Sequence, residues 1–191
     1  LAGEAPPRPF ANIARHLVEA DEAAPLDLGT PGRTLLVRFR GQDGTLVAST
    51  PKTGIWKPDG KTLFVRGGRL VFDIGWVGAI SSSRNVADGE WHTAALVVKK
   101  NETRLYVDGV LEARRGEFRR PPAEDFVLKI GATATNFGGD YEGEIAWVRL
   151  LDAQLSDAAI AKLAGDDPPA AANPLLAWQP APGEAIAAAG T

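Results

Sequence analysis

The chain has 191 residues, 45% hydrophobic and 24% charged, with a formal net charge of −3. That length supports one sizeable core, and the near-neutral charge gives no electrostatic reason to expect nucleic acid or an anionic membrane as partner. Zero cysteines exclude disulfides, thiolate metal sites, cysteine nucleophiles and c-type haem attachment within the chain. No apolar run reaches the roughly 18 residues of a membrane span, and a start at Leu1 without any methionine reads as an excised or processed piece of a longer protein.

In chain order, residues 1–25 form a lead-in punctuated by Pro6, Pro7, Pro9 and Pro25, with a short helix or strand expected between Phe10 and Ala20. Its Phe10, Ile13, Leu17 and Val18 are expected to dock on the core. From residue 26 to 165, β-rich segments alternate with Gly, Pro and Asp punctuation. The predicted strands are 34–40, 44–50, 61–66, 69–74, 77–83, 92–100, 103–107, 110–115, 126–131 and 143–151. Within 69–74, Leu70, Phe72 and Ile74 share one face and Arg69, Val71 and Asp73 the other, the pattern of a half-buried strand. Leu63 and Val65 repeat it across the Gly67-Gly68 turn, and the basic pairs Arg114-Arg115 and Arg119-Arg120 read as a solvated hairpin end. Ser156 as N-cap, Asp157 in the first turn, Ile160 and Leu163 on one face and Gly165 as terminator predict one short C-terminal helix that plugs the sandwich edge. Residues 166–191 turn to Pro/Ala-rich linker chemistry, with Leu175-Leu176-Ala177-Trp178 as a closing strand in the other reading.

The most informative stretch runs from Asp88 to Val110, where Asp88-Gly89-Glu90-Trp91-His92 leads into a β-rich segment, a polar turn at Lys100-Asn101-Glu102, and an Asp108-Gly109 hairpin. That block resembles the Asp-Gly-x-Trp-His and Leu-Tyr-Val-Asp-Gly signature of laminin-G-like (LamG) domains in the concanavalin A-like lectin/glucanase superfamily. A second block, Leu128 to Ala132 followed by Tyr141 to Ile160, is similar to that family's closing strand and helix. The resemblance implies an all-β, two-sheet antiparallel jelly-roll sandwich over 26–165. Domains of this superfamily serve as carbohydrate-binding modules, adhesion or protein-interaction domains and, with suitable carboxylates, glycoside hydrolases or polysaccharide lyases. Leu63 to Gly78 looks like the LamG_3-type modules of large secreted or periplasmic bacterial proteins, some with separate cytochrome-type domains, which implies an extracellular or periplasmic location.

Activity is a question of sites rather than fold. The glucanase branch needs a strand carrying Glu-x-Asp-x-x-Glu, which is absent; Glu142 and Glu144 read as strand-edge charges, and no catalytic residue is assigned. His16 and His92 are the two histidines, too few for a histidine-rich metal site, and the resemblance gives His92 a structural, hydrogen-bonded role. Calcium is the one metal considered, with Asp73, Asp88, Asn136 and Asp140 as oxygen ligands, although Asp88-Gly89 also reads simply as a turn. Sugar binding needs an aromatic platform bordered by planar polar groups. Trp56, in a turn-rich loop, and Trp76, between glycines, supply the aromatics, while Arg66, Arg69, Asp73, Arg84 and Asn85 supply polar contacts. For both indoles, packing over a hydrophobic cluster stays open as the other reading, and Trp91 and Trp147 are expected in the core. The resulting expectation is a non-catalytic recognition module binding carbohydrate or a neighbouring protein domain, with a glycan-active enzyme as the further alternative.

Overall fold

Strands of alternating apolar residues, joined by glycine-containing turns, pair into two six-stranded antiparallel sheets. The computed structural model describes residues 16–18, 26–123, 125–133, 135–163 and 174–180. The strands are β1 (His16–Val18), β2 (Arg33–Gly41), β3 (Gly44–Pro51), β4 (Lys61–Arg66), β5 (Arg69–Ile74), β6 (Gly78–Asn85), β7 (His92–Val98), β8 (Glu102–Val107), β9 (Val110–Gly116), β10 (Phe126–Ile130), β11 (Gly143–Leu151) and β12 (Pro174–Trp178). In space the first sheet runs β1-β10-β3-β4-β5-β6 and the second β12-β11-β2-β7-β8-β9, so each sheet has a segment from near one end of the chain as an edge strand.

The core lies between the sheets and joins Leu63, Val65, Leu70, Phe72 and Ile74 of the first to Leu35, Val37, Phe39, Leu96 and Val148 of the second. The predicted half-buried strand is seen in β5, where Leu70, Phe72 and Ile74 are buried and their neighbours are not. Tight hairpins fix the register. Gly67 and Gly68 take φ of 57° and 74° between β4 and β5, and Asp108 and Gly109 take 49° and 79° between β8 and β9, the left-handed pair that a two-residue turn demands.

Three expectations change. The helix is a single turn, α1 (Asp157–Ile160), capped by the Ser156 hydroxyl, which accepts the Ala159 amide at 3.2 Å. It packs Ile160 against Leu36, Tyr106 and Trp147 on the outer face of the second sheet instead of plugging an edge. Trp91 is half-buried outside the core, its ring covered by the guanidinium groups of Arg38 and Arg40, because it precedes β7 on that same outer face; Trp147 is buried there. Phe10, Ile13 and Gly165 lie outside the described residues. Leu17 and Val18 belong to β1, whose backbone pairs with Lys129 and Leu128 of β10.

Candidate functional site on the outer face of the first sheet

Alternation sends Thr62, Phe64 and Arg66 of β4, and Arg69, Val71 and Asp73 of β5, to the face of the first sheet away from the core. Phe64 is nevertheless buried, because the loop between β10 and β11 folds back and sets Phe137 edge-on to it, with ring centroids 5.6 Å apart. Trp56, from the loop between β3 and β4, stacks on Phe137 at 4.5 Å and 26°. The Trp56 amide donates to Asn136 Oδ1 at 2.8 Å, tying the two loops together where their rings meet.

Backbone crowding sets the position of the indole. A Cβ at Gly60 would lie 3.0 Å from Trp56 Cζ3, and one at Gly75 would lie 2.9 Å from Trp56 Nε1. Ion pairs of Lys57 with Asp125 (2.9 Å) and of Asp59 with Arg120 (3.4 Å) pin the rest of this loop to the segment preceding and entering β10. Below the loops, the buried Lys129 ammonium donates to Thr50 Oγ1 at 2.8 Å and to the carbonyls of Pro51 and Thr133. Pro51 ends β3 ahead of the Trp56 loop, and Thr133 opens the Phe137 loop, so one cation staples both. Burial pushes the Lys129 ammonium down to about 8.

Arg66 lies back over the same rings, its guanidinium carbon 4.7 Å from the centre of Phe64 and 5.0 Å from that of Phe137. Asp73 stands one strand over, in register with Thr62 on one side and Ala79 on the other. Burial raises its pKa and the positive charge of Arg66 partly opposes that rise. Among the described residues neither Arg66 nor Asp73 makes a hydrogen bond or a close ion pair. Past Asp73, half-buried Val71 and exposed Ala79 and Ser81 form a low floor beside the Trp56–Phe137–Arg66 ridge.

Of the residues predicted for ligand contact, Trp56, Arg66 and Asp73 therefore meet on one surface. Trp76 stands at its rim, on the tip of the β5–β6 hairpin, with φ 61° and 73% of its surface exposed. Arg69 shares the face, but its guanidinium donates to the carbonyls of Ser82 (3.1 Å) and Ser83 (2.6 Å). Arg84 is held by Asp108 (3.3 Å) and Glu112 (3.4 Å), and Asn85 Oδ1 accepts the Ala87 amide. Phe64 and Phe137 are the contributors that sequence reading passed over. The available signal was a large ring on the polar-facing register of β4, between Thr62 and Arg66.

The residues proposed for calcium do not form one cluster. Asn136 Oδ1 is engaged by the Trp56 amide, Asp88 Oδ1 accepts from the Glu90 amide and meets His92, and Asp140 bridges to Thr45. Among the described residues no three acidic or histidine side chains are arranged to hold a metal ion. His92 lies between two carboxylates, Nδ1 at 2.8 Å from Asp108 and Nε2 at 2.9 Å from Asp88, while Asp108 Oδ1 accepts the Thr93 amide. The hydrogen bond to Asp108 leads in raising the His92 pKa, against desolvation. With both ring nitrogens engaged, the imidazolium ties the β6–β7 turn to the β8–β9 hairpin, a structural role. Glu144 lies near the start of β11 in the other sheet and pairs with Arg40, and Glu142 immediately precedes that strand.

Residues 40–161, more than half of the chain, match the Laminin_G_3 family, described as the concanavalin A-like lectin/glucanases superfamily. The chain belongs to this family. Solved structures that resemble the laminin-G-like domain include the Ruminococcus gnavus IT-sialidase CBM40 bound to alpha2,3 sialyllactose, with TM-score 0.62, 15% identity, and 72% of this chain and 85% of that one covered. Domain 4 of AbnA, a GH43 extracellular arabinanase from Geobacillus stearothermophilus, in complex with arabinotriose, has TM-score 0.57 and 13% identity over 72% and 68% of the two chains. The native heptameric SAP-like pentraxin from Limulus polyphemus has TM-score 0.54 and 13% identity over 72% and 71%. At these identities the likeness is one of fold. Comparison with curated proteins gave no match.

Proposed function

We propose that this laminin-G-like domain is a non-catalytic carbohydrate-recognition module of a larger exported bacterial protein, and that it binds sugar on the outer face of the first sheet. The observation that carries the reading is the half-buried Trp56–Phe137 stack beside Arg66 and Asp73. A pyranose or furanose offers an apolar ring face and a rim of hydroxyls, and this surface offers an aromatic wall with a donor and an acceptor beside it. Two of the similar folds were solved with saccharides bound, which supports the class of ligand. In this reading the carboxylates do not form the acid pair of a glycosidase: Asp73 stands beside the ridge, Asp59 and Asp125 are ion-paired with Arg120 and Lys57, and Glu144 is paired to Arg40 on the other sheet.

Titration calorimetry against a broad glycan panel, with calcium and then with chelator, tests the proposal. The expected result is saturable binding that Trp56→Ala weakens at least tenfold while far-ultraviolet circular dichroism stays unchanged. Chelator sensitivity would bring calcium into the site. Unchanged affinity in a folded Trp56→Ala variant, or no binding in either condition, removes the reading. A second reading, docking of a neighbouring protein domain, draws on the exposed Trp76 and Ile55 (73% and 69%) that rim the same end of the sheet.

A further inference from the structure

We infer that the site selects neutral sugars carrying vicinal hydroxyls, one held by the Asp73 carboxylate and its neighbour by the Arg66 guanidinium, and that it discriminates against acidic sugars. The inference rests on the carbohydrate reading above and specifies its ligand.

The geometry assigns complementary tasks to the two side chains. Ionised Asp73 is acceptor-only and Arg66 donor-only. A hydroxyl both donates and accepts, so adjacent hydroxyls on one ring satisfy an acid and a guanidinium together. Arg66 is already positioned, because its guanidinium carbon sits within about 5 Å of the centres of Phe64 and Phe137, and so less side-chain freedom is lost on binding. Asp73 is fixed in mid-strand between Thr62 and Ala79. The ring is then bordered by the half-buried Trp56–Phe137 stack, and the small side chains of Ala79 and Ser81 leave the floor low enough to admit it.

Arg66 and Arg69 stand at the Gly67-Gly68 end, Asp73 stands beside the ridge, and Asp43 closes the hairpin by accepting the amides of Gly67 (2.9 Å) and Gly68 (3.3 Å). Arg69 is committed to the carbonyls of Ser82 and Ser83, whereas Arg66, beside the rings, makes no hydrogen bond among the described residues. A carboxylate-bearing sugar seated there would draw Arg66 away from the hydroxyls and place a second anion beside half-buried Asp73, where charge repulsion is poorly screened. Ala79 to Ser83 extends about 13 Å at roughly 3.3 Å per residue, so the strip accommodates a short oligosaccharide instead of a single ring.

The test titrates the domain with neutral oligosaccharides of arabinose, glucose, galactose and mannose, and with uronate- and sialate-bearing oligosaccharides, using wild type, Asp73→Asn, Arg66→Gln and Trp56→Ala. Expected are binding to at least one neutral series, a loss of tenfold or more in each of Asp73→Asn and Arg66→Gln, and a narrower gap between neutral and acidic ligands in Asp73→Asn. Arg66→Gln keeps the test decisive if Asp73→Asn fails to fold. Preference for an acidic series, or neutral binding that depends on Trp56 but is indifferent to Asp73 and Arg66, overturns this inference while leaving carbohydrate binding in place. No glycan binding at all overturns both.

Discussion

Lys61 and Asp27 form an ion pair at 2.9 Å with side chains 0% and 1% exposed, at the end of the sandwich where the strand leading out of the Trp56 loop enters the core. The pair is well supplied with partners. Lys61 also donates to the Pro121 carbonyl at 3.0 Å, and Asp27 accepts the Gly29 amide at 2.7 Å, Ser49 Oγ at 3.2 Å and Thr30 Oγ1 at 3.4 Å. Gly29 admits the lysine stem, since a Cβ there would collide with Lys61 Cε and with the Arg120 carbonyl. Replacing Lys61 by Met keeps the apolar stem but strands a buried carboxylate, which costs about 3–5 kcal/mol. At roughly 2–4 °C per kcal/mol for a domain of this size, the midpoint falls by roughly 6–20 °C. Asp27→Leu strands the ammonium instead and falls in the same range. The double variant removes both charges and leaves polar neighbours short of partners, so it is more stable than either single, with a coupling energy of at least about 2 kcal/mol. Urea denaturation followed by tryptophan fluorescence measures all four proteins. A single substitution costing under about 1 kcal/mol, or strictly additive effects, would refute the claim that these charges depend on each other. Because Asp27 precedes the family match at residue 40, a large effect would also show that the segment ahead of β2 is integral to the core.

Two further expectations concern pH. His92 has a raised pKa, so its stabilisation is complete below its ordinary 6.5 and fades as pH rises through the folded value, whereas Asp88 and Asp108 have lowered values and stabilise above 3.8, fading as pH falls through theirs. The network is therefore strongest between those limits, and His92→Gln should flatten the decline in stability above pH 6.5; an unchanged pH profile would exclude the imidazolium as its source. Lys129 has the opposite sign, since a buried ammonium lowered from 10.5 to about 8 makes the unfolded chain the better proton binder. Stability gains about 3 kcal/mol from this group as pH climbs through that interval; Lys129→Met should remove the gain, and a slope equal to wild type there would disprove it.

The strands were legible because their cues are local. Alternation in 69–74, glycine pairs at Gly67-Gly68 and the Asp108-Gly109 turn fix period and register within a few residues, and the observed β4 and β5 have the predicted limits. The short helix was legible at its start, where Ser156 and Asp157 act as read, and it ends at Ile160, ahead of the Gly165 expected to terminate it. Trp56, Arg66 and Asp73 were legible as chemistry but not as neighbours, because their meeting depends on where a loop some 80 residues further along the chain comes down. Phe137 escaped notice for the same reason. Its partners are set by the fold of the Asn136-Phe137-Gly138-Gly139 segment over β4, where a Cβ at Gly138 would meet Thr45 Oγ1 at 2.6 Å. Residues such as Arg84 and Asn85 look identical in sequence whether their polar atoms face solvent or are already spent on Asp108, Glu112 or the Ala87 amide.

The position of the open surface follows from how the two outer faces are covered. On the second sheet, Leu36, Ala95, Val97, Tyr106, Trp147 and Leu151 form a second apolar cluster closed by Ile160 of α1, and Arg104 and Tyr106 bind Asp157 to hold that turn in place. That face is covered for stability. On the first sheet the cover is a glycine-containing loop held by Lys129 and Asn136, and it reaches as far as Phe64 on β4. Strands β5 and β6 continue beyond it with Val71, Asp73, Ala79 and Ser81 facing outward. A ridge of rings thus ends abruptly against a flat polar strip. Extending the loop would bury Asp73 without a hydrogen-bonding partner, an expensive arrangement. In the proposed reading, Asp73 at the margin of this cover is the acceptor that a bound hydroxyl would meet, so the carboxylate exposed by the end of the core is the one assigned to recognition.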